Sequence, residues 1–263
     1  MAIMSATALT RAFATIGSPF YALFVFVGEV FLIFWDAVKR LFRPPIEVRE
    51  TVDQMAFIGV ASVPIVALTT FFAGGVLSLY LSQFLSQYGA TAFVGATIGL
   101  TITREIGPVL AGLMVAARCG SAMAAQIGTM AVTEQIDALR MLSVHPTNYL
   151  VIPRVVAGVT MLPILALIGM WSGIFGGYVI ALTRGVSGGS FMNSLVQFTD
   201  PSDVLSGMVK APFFGLLIAL VACQQGLRTK NGAVGVGRST TNAVVISMVL
   251  VYVIDYVLAS LMY

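Results

Sequence analysis

The stretch that decides the fold is TREIGPVLAGLMVAARCGSAMAAQIGTMAVTEQIDALRMLSVHP, residues 103–146. It sets an Arg104-Glu105 pair and a Gly107-Pro108 step inside an apolar run, then follows with a compact polar helix over 133–142 that His145-Pro146 closes. Ionisable side chains at membrane depth cost several kcal/mol and persist where they face a bundle interior or a wet cavity. The Gly-Pro step reads as a backbone break, and breaks at depth are tolerated where they line a cavity. The polar helix is too short and too charged to cross a bilayer, which takes about 20 apolar residues.

Composition agrees that the chain belongs in lipid. Of 263 residues, 58% are hydrophobic and 10% charged, against about a quarter charged in soluble domains. The net charge of +3 comes without any basic block interleaved with aromatics, so nucleic acid is not an expected partner. Cys119 and Cys223 lie far apart near the ends of apolar runs and read as packing residues, with no disulfide framework or metal spacing.

Five runs are long enough to span: about 55–81, 92–117, 155–183, 204–224 and 241–263. Ahead of them, residues 12–35 are apolar apart from Glu29, and Asp36, Lys39, Arg40, Arg43 and Pro44-Pro45 follow. At about 100° per residue, Glu29, Asp36, Arg40 and Arg43 share one side, with Phe31, Phe34, Trp35, Val38 and Phe42 largely opposite and Ile33 intruding on the polar side. That pattern predicts an interfacial helix in preference to a sixth span. The chain thus divides into a 1–50 region holding the interfacial helix and a 51–263 domain of five spans. Basic residues gather at 39–49, at Arg118, Arg140 and Arg154, and at Arg228, Lys230 and Arg238, while 82–91 is uncharged. The bias places the N-terminus in the cytosol and the C-terminus outside.

Within the spans, Gly95 and Gly99, and Gly169, Gly173 and Gly177, have the spacing that lets helix backbones approach closely. Pro64, Pro163 and Pro212 are expected to kink their helices. No phosphate loop, H-E-x-x-H or G-x-S-x-G is present, and the Val186-Ser187-Gly188-Gly189-Ser190 run reads as a flexible outer turn. His145 reads as a helix terminator. Arg104 and Glu105 either line a cavity or pair structurally, whereas Lys210 and Asp255 sit nearer the span ends, where snorkelling or interfacial pairing is expected. In the polar helix Asp137 and Arg140 can pair at i,i+3, and Ile136, Leu139 and Leu142 leave an apolar edge fit for a partner's groove.

At these residues the chain resembles the MlaE-type permease family, the membrane subunits of ABC lipid transporters that work with MCE proteins. The motifs are REIGPVLAGLMVAARCGSAMAAQIGTM, TEQIDALRMLSVHP, Pro153-Arg154, and GVGRSTTNAVVISMVLVYVIDYVL at 235–258, in that order over residues 59–263. The resemblance implies an all-α integral membrane protein with an N-terminal interfacial helix, five transmembrane helices and a cytosolic coupling helix between the second and third. It implies a homodimer gripped by a cytosolic ABC ATPase dimer, which binds the ATP and Mg, so that the chain itself carries no cofactor and no catalytic residue. On the outer side it implies a periplasmic MCE-domain protein, with a small cytosolic STAS-type accessory protein as a further partner and phospholipid as the cargo.

By the same resemblance, Glu134, Gln135, Asp137, Arg140 and Met141 form the coupling helix. Arg104 and Glu105 lie by the lipid cavity, and Phe72, Val76, Leu77 and Tyr80 supply its apolar wall. Tyr80 stands where many members carry glutamine, which puts an amide's role there in doubt. A plastid version of the family exists, but no Ser/Arg-rich transit segment precedes Ala12, so a bacterial inner membrane is expected. Two rival readings stay open: a proton-coupled secondary transporter using Glu105, and a passive membrane anchor for lipid-binding proteins.

Overall fold

A computed structural model describes residues 2–41 and 47–262, with the side chains of residues 2–20 outside the description. Phe42, Arg43 and Pro44-Pro45, and the end of the last run at Tyr263, lie outside the described residues. The chain is an all-α integral membrane protein, and no strand occurs among the described residues. Its helices are α1 (Ala2–Arg40), α2 (Val48–Ile58), α3 (Val63–Gln87), α4 (Val94–Thr101), α5 (Gly107–Val115), α6 (Ser121–Val132), α7 (Gln135–Met141), α8 (Ile152–Thr183), α9 (Gly188–Phe198), α10 (Pro201–Leu227) and α11 (Gly232–Met262). Among the described residues, six helical segments are long and apolar enough to cross a bilayer, the five expected runs and Tyr21–Arg40.

Helix α8 is the hub, and glycine makes it so. A Cβ on Gly74 of α3 would land on the carbonyl of Gly173, and one on Gly176 would land on the carbonyl of Phe71. On the other flank Gly158 and Gly215 of α10 meet backbone to backbone in the same way. In lipid no hydrophobic force drives helices together, so contact this close supplies the dispersion energy that holds them. Gly95 and Gly99 of α4 seat a different neighbour: a Cβ on Gly95 would strike the carbonyl of Phe191, and one on Gly99 would meet Thr199 Oγ1 at 2.6 Å. Both partners belong to α9 or its end, so the stripe docks a short outer helix that the sequence pattern did not reveal. The Val186–Ser190 run is accordingly only half turn, because Gly188-Gly189-Ser190 open α9.

The first span is interrupted. α2 stops at Ile58, a short 3₁₀ turn (Val60–Ser62) follows, and Pro64 occupies the first turn of α3, where it starts a helix and does not kink one. Arg118 satisfies this junction, donating from Nη1 to the Phe57 carbonyl and to Ser62 Oγ, each at 3.0 Å. Pro163 and Pro212 do fall inside α8 and α10 as expected. The second span is one long rod, α4 to α6, in which π-turns at Ile102–Ile106 and Ala116–Gly120 replace any break. Gly107-Pro108 therefore does not interrupt the chain: Pro108 sits in the first turn of α5, and the irregularity lies one turn earlier.

α1 inverts the expectation of its faces. Ala37, Val30, Ile33 and Phe34 pack inward against Leu150, Leu220 and Cys223. Glu29 faces the same way, accepting from Gln224 Nε2 at 2.7 Å and pairing with Arg228 at 3.4 Å. Asp36 accepts from Arg40 at 2.8 Å and from Thr147 at 2.5 Å. The polar side, Ile33 included, is the protein-facing side, and Phe31, Trp35 and Val38 are the exposed ones.

The glycine seam yields a stability prediction. Gly74→Val and Gly176→Val should each lower the melting temperature of the detergent-purified protein, at a cost of about 1–3 kcal/mol from overpacking. Gly28→Ala, with nothing within 4 Å of its added Cβ, should melt like the parent; equal loss in all three would refute the seam.

Candidate functional site: a buried charge cluster and a projecting helix

The π-turn Ile102–Ile106 carries Arg104 and Glu105 into the bundle, and π-bulges of this kind recur at functional sites. A Cβ on Gly207 of α10 would land on the Thr103 carbonyl and would meet Pro108 Cγ at 2.9 Å, so α10 lies directly against the turn. That approach delivers two α10 side chains to the pair. Asp203 Oδ1 accepts from Arg104 Nε at 2.7 Å and Nη2 at 2.6 Å. Lys210 Nζ donates to Glu105 Oε1 at 2.7 Å, to the Arg104 carbonyl at 3.1 Å and to Asp255 Oδ1 of α11 at 3.1 Å. Lys210 is fully buried, while the Arg104 and Glu105 side chains each keep 38% of their surface open.

Lys210 is therefore not a snorkelling residue near a span end. It has no path to an interface from a fully buried position, and two carboxylates and a carbonyl hold its charge in place. Asp255, with a side chain 15% exposed, is its inward partner. Arg104 and Glu105 are paired, each to a side chain of α10, and both stay part-exposed. Asp203 carries no functional expectation from the sequence. Its Oδ2 also accepts the Asp200 backbone N–H at 2.9 Å, completing a capping box that starts α10. A D-P-S-D run at a helix start carries that capping signal, but nothing local in it points to Arg104, 99 residues away.

Beside the π-turn lies an apolar cavity of about 820 Å³, bounded by α8 (Leu167, Met170, Trp171, Ile174, Phe175, Tyr178), α9 (Met192, Leu195, Val196) and the start of α10, with Thr103 at its wall. Phe72, Val76, Leu77 and Tyr80 do not line this cavity. Phe72, Val76 and Tyr80 form an exposed stripe along α3 at i, i+4 and i+8, while Leu77 packs partly inward against the cluster of Val94, Ile98 and Phe191.

The polar helix is shorter than the 133–142 expectation, at Gln135–Met141. Glu134 stands at its N-cap with φ 60°, a left-handed conformation that turns the chain sharply out of α6. Asp137 and Arg140 pair at 2.9 Å. Met141 and Leu142 are 87% and 74% exposed, whereas Ile136 is buried at the base, so the free apolar edge is the C-terminal end of α7. His145 does not cap α7; it lies 3.9 Å from Asp36, between α7 and α1.

A bundle with charges locked at membrane depth and an apolar-tipped helix projecting from one end defines a membrane transport subunit. The sequence model of the family described as Permease MlaE matches residues 51–261. The chain is 43% identical over 238 residues to a probable ABC transporter permease protein of Rickettsia conorii, covering 90% of this chain and 92% of that one. It is 41% identical over 243 residues to one from Synechocystis (92% and 90%). It is also 36% identical over 230 residues to the chloroplastic protein TRIGALACTOSYLDIACYLGLYCEROL 1 of Arabidopsis thaliana (87% and 66%). The chain belongs to the MlaE permease family of ABC transporters. Its role is that of a permease, the membrane subunit that works with an ATPase partner.

Removing one member of a buried ion cluster strands the others. Lys210→Met should therefore destabilise the detergent-purified chain by about 3–5 kcal/mol, while the triple variant Lys210→Met, Glu105→Gln, Asp255→Asn should recover a large part of that loss in a melting experiment. A triple variant no more stable than the single one would show that the cluster's charges do not balance one another.

Proposed function

We infer that the chain is the permease of an ATP-driven transporter moving phospholipids between the inner membrane and an extracytoplasmic MCE-domain protein. In this reading it works as a homodimer with α1 lying in the interface, the N-terminus cytosolic and the C-terminus periplasmic, and α7 received by a cytosolic ABC ATPase dimer. The observation that carries it is the pairing of a projecting, apolar-tipped α7 with a part-open charge cluster on the same α4–α6 rod. A rigid rod between a docking helix and a polar centre transmits ATPase movement to the place where a headgroup would sit.

The apolar surfaces fit lipid cargo. Each CH₂ taken from the bilayer has to be re-covered at about 0.8 kcal/mol. The exposed α3 stripe of Phe72, Val76 and Tyr80 provides such cover once a second copy closes over it. The name of the Arabidopsis relative, which refers to a glycolipid, points to the same class of cargo. Residues 1–50 then act as the elbow and 51–263 as the permease proper. A STAS-type protein would act on the cytosolic side through the ATPase, and this chain needs no ATP or Mg of its own.

In the purified complex, Met141→Asp should cut lipid-stimulated ATP hydrolysis at least tenfold while leaving the chain folded, and a photocrosslinker at Phe72 or Val76 should capture phospholipid. Unchanged ATPase with Met141→Asp and unchanged lipid movement in cells with Glu134 and Arg140 substituted would favour the passive anchor. Proton-coupled flux in vesicles holding this chain alone, lost in Glu105→Gln, would favour the secondary transporter.

A further inference from the structure

Arg154 lies in the first turn of α8, beside Gln126 of α6 and near Gln135 of α7; at 1.5 Å per residue Gln126 stands about 33 Å along the rod from Arg104. It is 4% exposed, and among the described residues it forms no ion pair with any carboxylate. Its Nη1 donates to the Leu150 carbonyl at 2.6 Å and its Nη2 to Gln126 Oε1 at 3.2 Å, while its Nε has no partner. A buried cation ordinarily has an opposite charge beside it, because neutral acceptors replace only part of its lost hydration. Here only two neutral oxygens serve a group with five donors.

The guanidinium borders a cavity of about 510 Å³ whose other polar walls are Gln126, Gln135, Tyr149, Thr129 and Glu50. Gln126 is exposed and rests its amide oxygen on Nη2, so it stands where an anionic oxygen would sit and is free to swing aside. That movement uncovers Nη2 and the unpartnered Nε, the edge with which arginine grips phosphate oxygens in bidentate fashion. Once Gln126 has moved, its NH₂ group, the Gln135 amide and the Tyr149 hydroxyl are donors for the remaining oxygens. Glu50 on the rim is engaged by Gln54 Nε2 at 2.9 Å. Its charge disfavours a dianion and favours a singly charged phosphodiester.

We propose that the Arg154 cavity is a binding site for a phosphate-bearing anion, with a phosphodiester as the preferred form. A lipid headgroup from the adjacent leaflet and free phosphate share that chemistry. The site is separate from the Arg104–Lys210 cluster and does not depend on which cargo the permease moves.

The test titrates the full-length chain in detergent with inorganic phosphate, with short-chain phosphatidylglycerol, and with the diacylglycerol bearing the same tails, reading thermal shift. Phosphatidylglycerol should stabilise the chain beyond diacylglycerol. Gln126→Glu, which supplies a resident carboxylate to Arg154, should weaken this headgroup-dependent binding at least tenfold and raise the melting temperature without ligand. Arg154→Gln should lose the same binding; should it fail to fold, Gln126→Glu still decides. A shift with phosphatidylglycerol alone identifies a lipid headgroup, and one with inorganic phosphate as well identifies a free anion. Headgroup-dependent binding unchanged in Gln126→Glu, or diacylglycerol equal to phosphatidylglycerol with phosphate inert, would overturn the proposal.

Discussion

The backbone contact between α8 and its two neighbours is the constraint on which the other features rest. Gly74 and Gly176 let α3 and α8 approach to carbonyl distance on one flank, and Gly158 against Gly215 does the same for α10 on the other. In a bilayer the surrounding lipid is as apolar as the side chains, so helices are held by close dispersion contact and by polar pairs, not by expulsion of water. A methyl group at Gly158 or Gly215 would force α10 off α8, and one at Gly207 would force it off the rod. Gly207 would then no longer lie against the Thr103 carbonyl, and Lys210 would lose its reach to Glu105.

Around that frame the polar residues fall into two kinds. Some repair the backbone: Arg118 closes the α2–α3 junction, and Asp200 with Asp203 caps α10. Others tie distant elements by charge, as Lys210 does among the π-turn and α11. Asp203 does both, capping α10 and pairing with Arg104. A capping carboxylate is already fixed by its helix, so little side-chain freedom remains to be lost when the guanidinium docks. Arg154 belongs to neither kind, since neutral oxygens alone meet it.

The two ends of the 42-residue helical segment Thr91–Val132 do different work. One carries the charged turn and receives α9 on its glycines, and the other turns sharply at Glu134 into α7. Between them the helix never breaks, because π-turns absorb the extra residues while keeping backbone groups bonded within the helix, as a bilayer requires. A break at Gly107-Pro108 would have split the helix; the π-turns keep it continuous from the charged turn to the start of α7.

The sequence alone determined the class: five apolar runs of spanning length, charges at depth in residues 103–146, and a short polar helix between spans. Those are one-dimensional signals, carried by composition and by i,i+3 and i,i+4 spacing, and the Asp137–Arg140 pair was legible for that reason. Tertiary structure alone decided who meets whom. Lys210 looked peripheral because a span's end is judged by counting apolar residues, whereas its depth is set by where Gly207 lets α10 lie. Leu77 turned inward although Phe72, Val76 and Tyr80 on α3 face outward, and the polar side of α1 faced the protein, because hydropathy cannot tell lipid from a helix partner. Asp203 was invisible for the plainest reason: a contact across 99 residues leaves no trace in local pattern, and only the glycine seam brings its two ends together.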